Sequence, residues 1–170
     1  MPKPKPRERQ LIIDYIRDRF PSDRVAFDFP LGPPPTRLIV EYGYTKALRL
    51  GRASRVKVDA VVWKDGSLIL VEAKIREWVN GVAKLPLYKA LVPETPELEP
   101  YWEWPVRMVL ALPYSNELIE SACERLGVEL DEFTSATVDE AMAEVQKWQS
   151  PEWRKAQAEK RHTREILGLE

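Results

Sequence analysis

Hydrophobic residues follow two different periods along this chain, one typical of helices and one of strands. Helical spacing predicts a first helix over 7–20, on the apolar positions Leu11, Ile12, Tyr15, Ile16 and Phe20. The same criterion predicts helices at about 77–92, 115–126, 137–148 and 151–167, with Ser115 as an N-cap and Gly127 as a C-terminal stop. Runs rich in β-branched and aromatic residues predict extended segments at 25–30, 37–44, 56–64, 67–75, 106–112 and 128–133.

The order of these elements predicts the fold class. A helix, extended runs, a hairpin, a helix and another strand favour an α/β domain with a mixed central sheet flanked by helices. Residues 45–55 fit a strand or a loop, and 93–105 form a Pro- and Glu-rich loop. We expect a flexible Pro/Lys arm at 1–6, one domain at 7–134 and a helical C-terminal appendage at 135–170.

The strongest local signal is a β-hairpin over residues 56–75. Asp65-Gly66 is a two-residue turn sequence, which pairs Lys64 with Ser67 and sets Asp59 opposite Glu72. Opposed side chains in an antiparallel pair share one face and lie about 5 Å apart. Lys74 follows Glu72 by two positions and therefore lies on that face as well.

Two opposed carboxylates repel each other unless a cation lies between them. A hard divalent ion such as Mg²⁺ fits, because it commonly takes one or two carboxylates and completes its shell with water and phosphate. The alternative is a pair of solvated acids on an exposed sheet face. That face also carries Val61, Trp63, Leu68 and Leu70, so it is not simply polar. The register sets Lys57 opposite Lys74, so either the strands splay beyond Asp59 or Lys57 also faces the substrate.

The spacing of these residues resembles a known pattern. Val58-Asp59, followed thirteen positions later by Glu72-Ala73-Lys74, is similar to the motif of the PD-(D/E)XK nuclease superfamily. The resemblance covers about 7–113 and implies a restriction-endonuclease-like core of helix, three strands, helix and strand, with Asp on the second strand and E-x-K on the third. It implies metal binding by Asp59, Glu72 and the Ala73 carbonyl, with Lys74 assisting the nucleophile.

The same resemblance suggests three more site residues. Glu8, on the core-facing stripe of the first helix, corresponds to a glutamate that reaches the metal or its water; the alternative is an acid favoured at a helix N-terminus. Lys84 and Tyr88 stand where one branch of the family has a Gln and a Tyr, with Lys replacing the Gln, and they would contact the nucleic acid. A solvated lysine and a core tyrosine are the alternative.

Charge is distributed unevenly although the net charge is −1. Residues 1–60 carry 13 Lys/Arg against 7 Asp/Glu, whereas 61–170 carry 13 against 20. A basic stretch precedes the hairpin, with Tyr42 and Tyr44 interleaved, and predicts DNA contacts by Arg49, Arg52, Arg55 and Lys57 together with Arg37 and Lys46. The alternative is a solvated basic sheet edge. The acidic, Trp-rich C-terminal half predicts a protein partner or self-association.

These features converge on one function. We expect a Mg²⁺-dependent DNA endonuclease, with Mn²⁺ able to substitute, of low sequence specificity or directed by DNA structure or a partner. The alternative is a non-catalytic DNA-binding or assembly protein that keeps the fold, for example a phage particle component. No apolar run approaches the roughly 20 residues of a membrane span, and no signal peptide is evident, so we expect a cytoplasmic protein, or a virion-associated one if of phage origin.

Overall fold

A computed structural model describes residues 6–136, 138–140 and 143. The helices are α1 (Pro6–Arg19), α2 (Thr36–Tyr42), α3 (Tyr44–Gly51), α4 (Trp78–Leu91) and α5 (Glu117–Leu126). The strands are β1 (Arg24–Leu31), β2 (Val56–Lys64), β3 (Ser67–Ala73), β4 (Val106–Leu112) and β5 (Glu129–Glu132). Two short 3-10 helices, Val92–Glu94 and Pro96–Tyr101, connect α4 to β4.

The five strands form one mixed sheet in the order β1-β2-β3-β4-β5. The first three strands are antiparallel, whereas β3, β4 and β5 run parallel. This confirms the predicted α/β class with a mixed, helix-flanked sheet. The order α1, β1, β2, β3, α4 and β4 also agrees with the core that the resemblance implies, with Asp59 on the second strand and Glu72 on the third.

Helices cover both faces of the sheet, which explains why β3 is apolar along nearly its whole length. On one face α1 packs through Leu11 and Tyr15 against a core that includes Ile69 and Val71. On the other face α4 and α5 pack on a second core, whose central members are Val61, Leu70, Val82, Leu85, Leu110 and Ile119. Glu72 is thus an acid in a strand that is buried on both sides.

The hairpin has the predicted register. Lys64 pairs with Ser67 and Val61 with Leu70. Asp65 (φ 47°) and Gly66 (φ 72°) both have positive φ, as a type I′ turn requires, and such a turn matches the natural twist of the two strands. The turn therefore fixes which residues of β2 and β3 share a face.

The prediction for 37–51 is wrong. Residues 37–44, predicted as extended, and 45–51, predicted as strand or loop, form α2 and α3, whereas 52–55 form a turn, which agrees with the loop alternative. The two helices pack together where Gly51 approaches Pro35 so closely that an added Cβ would lie 2.6 Å from Pro35 Cδ. This tertiary packing, with Ala47 buried, outweighs the strand preference of Ile39, Val40 and the neighbouring tyrosines.

Smaller differences concern the ends of elements. The N-cap of α5 is Asn116, whose Oδ1 accepts a hydrogen bond from the Ile119 N–H, and not Ser115. Gly127 ends α5 in the left-handed conformation, as predicted. α1 begins at Pro6, which had been assigned to the arm. Residues 1–5 of that arm, and most of the predicted appendage at 135–170, lie outside the described residues; Val138 is buried beside Phe133 in the α1-side core.

The acidic, Trp-rich C-terminal half is only partly within the described structure. Trp104 packs against the core, and the Trp102 indole N–H donates to the Thr95 carbonyl. The predicted protein partner stays a prediction. Within the described part of the chain, no helix combines the length and the apolar character that crossing a membrane requires.

Candidate active site

β2 and β3 separate at the end of the hairpin opposite the turn. Their last paired residues are Ala60 and Val71, one position before Asp59 and Glu72. The Ala73 N–H donates instead to Asp59 Oδ2 at 2.9 Å, so the carboxylate occupies the place of a strand acceptor. The splaying expected from the Lys57–Lys74 conflict is therefore present, and it opens the sheet where the two acids lie.

The ammonium group of Lys74 lies close to the other three predicted groups of the site. Its Nζ lies 2.9 Å from Glu72 Oε1, 3.6 Å from Asp59 Oδ2 and 3.2 Å from the Ala73 carbonyl oxygen. Four groups singled out from the sequence thus meet around one point. Burial works to lower the pKa of the Lys74 ammonium, but the charges of Asp59 and Glu72 outweigh it and the pKa is raised.

Glu72 is the least solvated member of the cluster, at 1% exposure. Burial, and then the charge of Asp59, raise the pKa of its carboxyl group, although Lys74 and Lys84 oppose them. Its Oε2 atom is buried without a hydrogen-bond partner among the described residues. An orphaned carboxylate oxygen of this kind costs free energy unless a ligand satisfies it.

Gly81 on α4 lets the helix approach this cluster. A Cβ at this position would lie 2.6 Å from Leu110 Cδ1, 3.1 Å from Lys74 Cγ and 3.7 Å from Glu72 Cγ. The helix backbone therefore confines the stems of Glu72 and Lys74 from one side. Sequence inspection gave no sign of this role, because a single glycine within a helical pattern is common.

The donor set fits a hard divalent cation. Asp59 and Glu72 provide carboxylate oxygens and Ala73 a carbonyl oxygen at the point where the Lys74 ammonium lies. Two carboxylates are what Mg²⁺ commonly takes from a protein when phosphate and water complete its shell. Across the described residues there is no group of three or more acidic, His or Cys side chains suited to a metal. A cation bound by Asp59 and Glu72 would also provide a partner for Glu72 Oε2, which accepts no hydrogen bond from a described residue.

The cluster lies in a cleft of about 540 Å³ between α1 and α4. Its lining combines both signs of charge with a few apolar groups, contributed by Glu8, Arg9, Ile12, Ile13, Phe27, Asp28, Lys57, Asp59, Glu72, Lys74, Glu77, Asn80 and Lys84. Sequence reasoning missed Arg9, Asp28, Glu77 and Asn80. The available signal was Asp28 itself, an acid between Phe27 and Phe29 in an apolar strand, which here adopts a positive φ of 48°.

Three further predicted residues reach this cleft. Glu8 lines it from α1 and adds to the negative potential at Lys74. Lys84 lines it from α4, with Nζ 3.5 Å from Glu72 Oε1 and a side chain that is about half exposed. Lys57 is exposed and lines it from β2. Lys57 and Lys84 thus bring positive charge into the cleft that holds Asp59 and Glu72, where it can attract a phosphate.

Two predicted DNA contacts are not available to DNA. Tyr88 is buried in the core under α4, at 4% exposure, which agrees with the core alternative. Arg55 is buried as well, and its guanidinium donates to both oxygens of Glu97, at 2.6 and 2.8 Å, and to the Pro30 carbonyl. Arg55 therefore fastens the start of β2 to the second 3-10 helix, and the prediction that it contacts phosphate is corrected. Arg49 and Arg52 are exposed at the end of α3.

Comparison with known proteins gives a coarse structural likeness only. No protein-family model matches the chain, and no curated protein shows significant sequence similarity to it. A repair endonuclease from Pyrococcus abyssi superposes with a TM-score of 0.46 at 18% identity, covering 77% of this chain and 49% of that one. EndoMS, in a complex with dsDNA, superposes with a TM-score of 0.42 at 17% identity, covering 76% and 46%. The chain spans about half the length of each.

Proposed function

We propose that this chain is a metal-dependent DNA nuclease of the PD-(D/E)XK type that hydrolyses phosphodiester bonds in the cleft between α1 and α4. One observation carries the proposal: Lys74 Nζ lies within 3.6 Å of Asp59, Glu72 and the Ala73 carbonyl at the bottom of an open cleft. Cation, carboxylates and carbonyl are the groups that phosphoryl transfer needs around the reacting phosphate.

The metal ligands in this proposal are Asp59, Glu72 and the Ala73 carbonyl. A bound Mg²⁺, or Mn²⁺ in its place, supplies Lewis-acid polarisation of the scissile phosphate. Asp59 also holds the backbone at the end of β3 through the Ala73 N–H, so one carboxylate orients both the carbonyl and the cation site. Glu72 brings an oxygen that has no other partner among the described residues.

Lys74 and Lys84 act on the substrate. An ammonium at Lys74 orients the attacking water by hydrogen bonding and stabilises the negative charge that develops on the phosphate oxygens. Lys84, whose Nζ reaches the same carboxylate oxygen of Glu72 from α4, binds a non-bridging phosphate oxygen. Glu8 supports the site from α1 by its negative charge.

We propose endonucleolytic cleavage with little base recognition. The described elements next to the cleft, α1 and α4, both pack their apolar faces on the sheet. The side chains that they present to the cleft surround the catalytic cluster, so we assign neither helix a base-reading role. Selectivity then comes from the structure of the DNA or from a partner protein.

Nicking of supercoiled plasmid tests the proposal. The parent protein is expected to convert supercoiled to open-circular DNA with Mg²⁺ and not with EDTA, and Asp59→Asn is expected to lose this conversion because a neutral amide is a poor Mg²⁺ ligand. Asp65→Asn is the matched control, since Asn-Gly keeps the type I′ turn at the far end of the hairpin. A parent protein that binds plasmid without any metal-dependent nicking would support the non-catalytic alternative.

A further inference from the structure

We infer that the helical hairpin formed by α2 and α3 binds unpaired nucleotides of the DNA beside the cleft, so that the substrate is single-stranded or has a single-stranded flank. This inference rests on the proposed nuclease function and adds the substrate class. It is carried by the position of the hairpin, its unpaired cations and its exposed apolar and aromatic side chains.

The helical hairpin of α2 and α3 is inserted between β1 and β2, next to the catalytic end of the sheet. Leu31, before α2, pairs with Val56, after α3, and the adjacent pair is Pro30 with Lys57. Lys57 lines the cleft, and Asp59 follows Val56 by three strand residues, about 10 Å. A nucleic acid strand leaving the cleft on this side meets α2 and α3 first.

The helical hairpin and the segment that leads from it into β2 are rich in exposed cations. Exposed basic residues between 36 and 57 outnumber the single acid, Glu41, by five to one; they are Arg37, Lys46, Arg49, Arg52 and Lys57. None of the five forms an ion pair with a described residue. Elsewhere on the surface, Arg19, Lys64 and Arg107 pair with acids, whereas Arg17, Arg76, Lys89 and Arg125 form no ion pair with a described residue but are dispersed over α1, α4, α5 and the loop before α4. Unpaired cations concentrated on one element complement a polyanion.

Exposed apolar and aromatic groups are concentrated on the same element. Four of the eleven exposed large hydrophobic residues of the described chain lie on α2 and α3, namely Val40, Tyr42, Tyr44 and Leu50, and a fifth, Val56, begins β2. Val40 is 84% exposed and Tyr44 is 51% exposed. Phosphate contacts alone need no such groups, whereas unpaired bases stack on aromatic rings and cover apolar surface.

The two tyrosines flank the tip of the hairpin. Tyr42 ends α2, Tyr44 begins α3, and Gly43 between them has φ 75° and ψ 161°, a conformation that is open essentially to glycine alone. Lys46 Nζ lies 4.7 Å from the centre of the Tyr42 ring, so a cation already covers one side of that ring. The Tyr44 ring, which is 51% exposed, is therefore the better stacking platform.

Binding of labelled oligonucleotides in EDTA tests the inference without cleavage. Tyr44→Ala is expected to weaken binding of a fluorescein-labelled single-stranded oligonucleotide by about 5- to 100-fold, the range for one stacked base, whereas Tyr44→Phe keeps the ring and the affinity. Binding of the blunt duplex of the same sequence should change by less than about 2-fold, since phosphate contacts remain. Leu118→Ala, which truncates an exposed apolar residue on α5, is the matched control and should leave both affinities unchanged.

The outcomes separate this inference from the proposed function. Unchanged single-strand affinity in Tyr44→Ala, or equal losses for single strand and duplex, would overturn the stacking role even if the plasmid is nicked. Selective loss of single-strand affinity would support it even if no Mg²⁺-dependent nicking occurs, in which case only the catalytic proposal fails.

Discussion

Lys74 Nζ lies 2.9 Å from Glu72 Oε1, and this contact supplies the principal counter-charge to a carboxylate buried in the central strand. Lys74→Met is therefore expected to lower the free energy of unfolding without metal by about 3 kcal/mol, because it leaves Glu72 buried without its main partner. Chemical denaturation in EDTA measures the loss. Millimolar Mg²⁺ should restore part of it, since a bound cation replaces the missing charge.

Lys84→Met is the control for this experiment. Lys84 Nζ approaches the same Glu72 oxygen at the longer distance of 3.5 Å, and its side chain is 47% exposed against 11% for Lys74. We therefore expect this substitution to cost about 1 kcal/mol or less. Equal destabilisation by the two substitutions would show that burial of the Lys74–Glu72 pair has no special weight.

Arg49 and Arg52 test the electrostatic part of DNA binding. Replacing both with Glu is expected to weaken binding of unrelated sequences to a similar extent and to reduce the slope of log affinity against log salt by about 0.7–0.9 for each lost phosphate contact. Fluorescence anisotropy over a series of KCl concentrations gives the slope. Lys89→Glu combined with Arg125→Glu, in the last turns of α4 and α5, changes the net charge by the same amount and is the control; an equal change there would assign the effect to net charge alone.

The Arg55–Glu97 pair predicts an acid-dependent step in stability. Burial works to raise the pKa of Glu97, but the hydrogen bonds and the charge of Arg55 outweigh it and the pKa is lowered. A carboxyl whose folded pKa lies below its unfolded value stabilises the protein above the unfolded pKa, and this contribution is lost as the pH falls through the folded value. Glu97→Gln should therefore be less stable than the parent at pH 7 by about 2 kcal/mol, with the difference shrinking below about pH 4.

Glu99→Gln, on the same 3-10 helix, is the control, because Glu99 forms no ion pair with a described residue. Melting temperatures of the three proteins between neutral and acid pH decide the point. A Glu97→Gln variant that melts with the parent at every pH would mean that Arg55 does not depend on this partner.

The sequence was most informative where local chemistry determines structure alone. Asp65-Gly66 determines a two-residue turn, and the turn determines the register that sets Asp59 and Glu72 on one face. The alternation of apolar residues in β2 and their near-continuous run in β3 then place that face against α4. The convergence of Asp59, Glu72 and Lys74 could therefore be predicted before any coordinates.

Prediction was weakest where distant packing decides the outcome. Ile39, Val40, Tyr42 and Tyr44 favour a strand locally, yet the contact of Gly51 with Pro35 and the burial of Ala47 hold α2 and α3 together. Arg55 was grouped with the DNA-binding cations because its partner Glu97 lies 42 residues away. Neither relationship is visible in the neighbouring sequence.

In the proposed function, Glu72 is a ligand in the catalytic centre and not only a buried acid of β3. The most direct measurement is the initial rate of Mg²⁺-dependent plasmid nicking by Glu72→Gln and by Glu77→Gln, two isosteric changes of cleft-lining glutamates. We predict a fall of at least about 100-fold for Glu72→Gln, with near-parental rates for Glu77→Gln and folded far-UV spectra for both. Parental nicking rates in a folded Glu72→Gln protein would contradict the account.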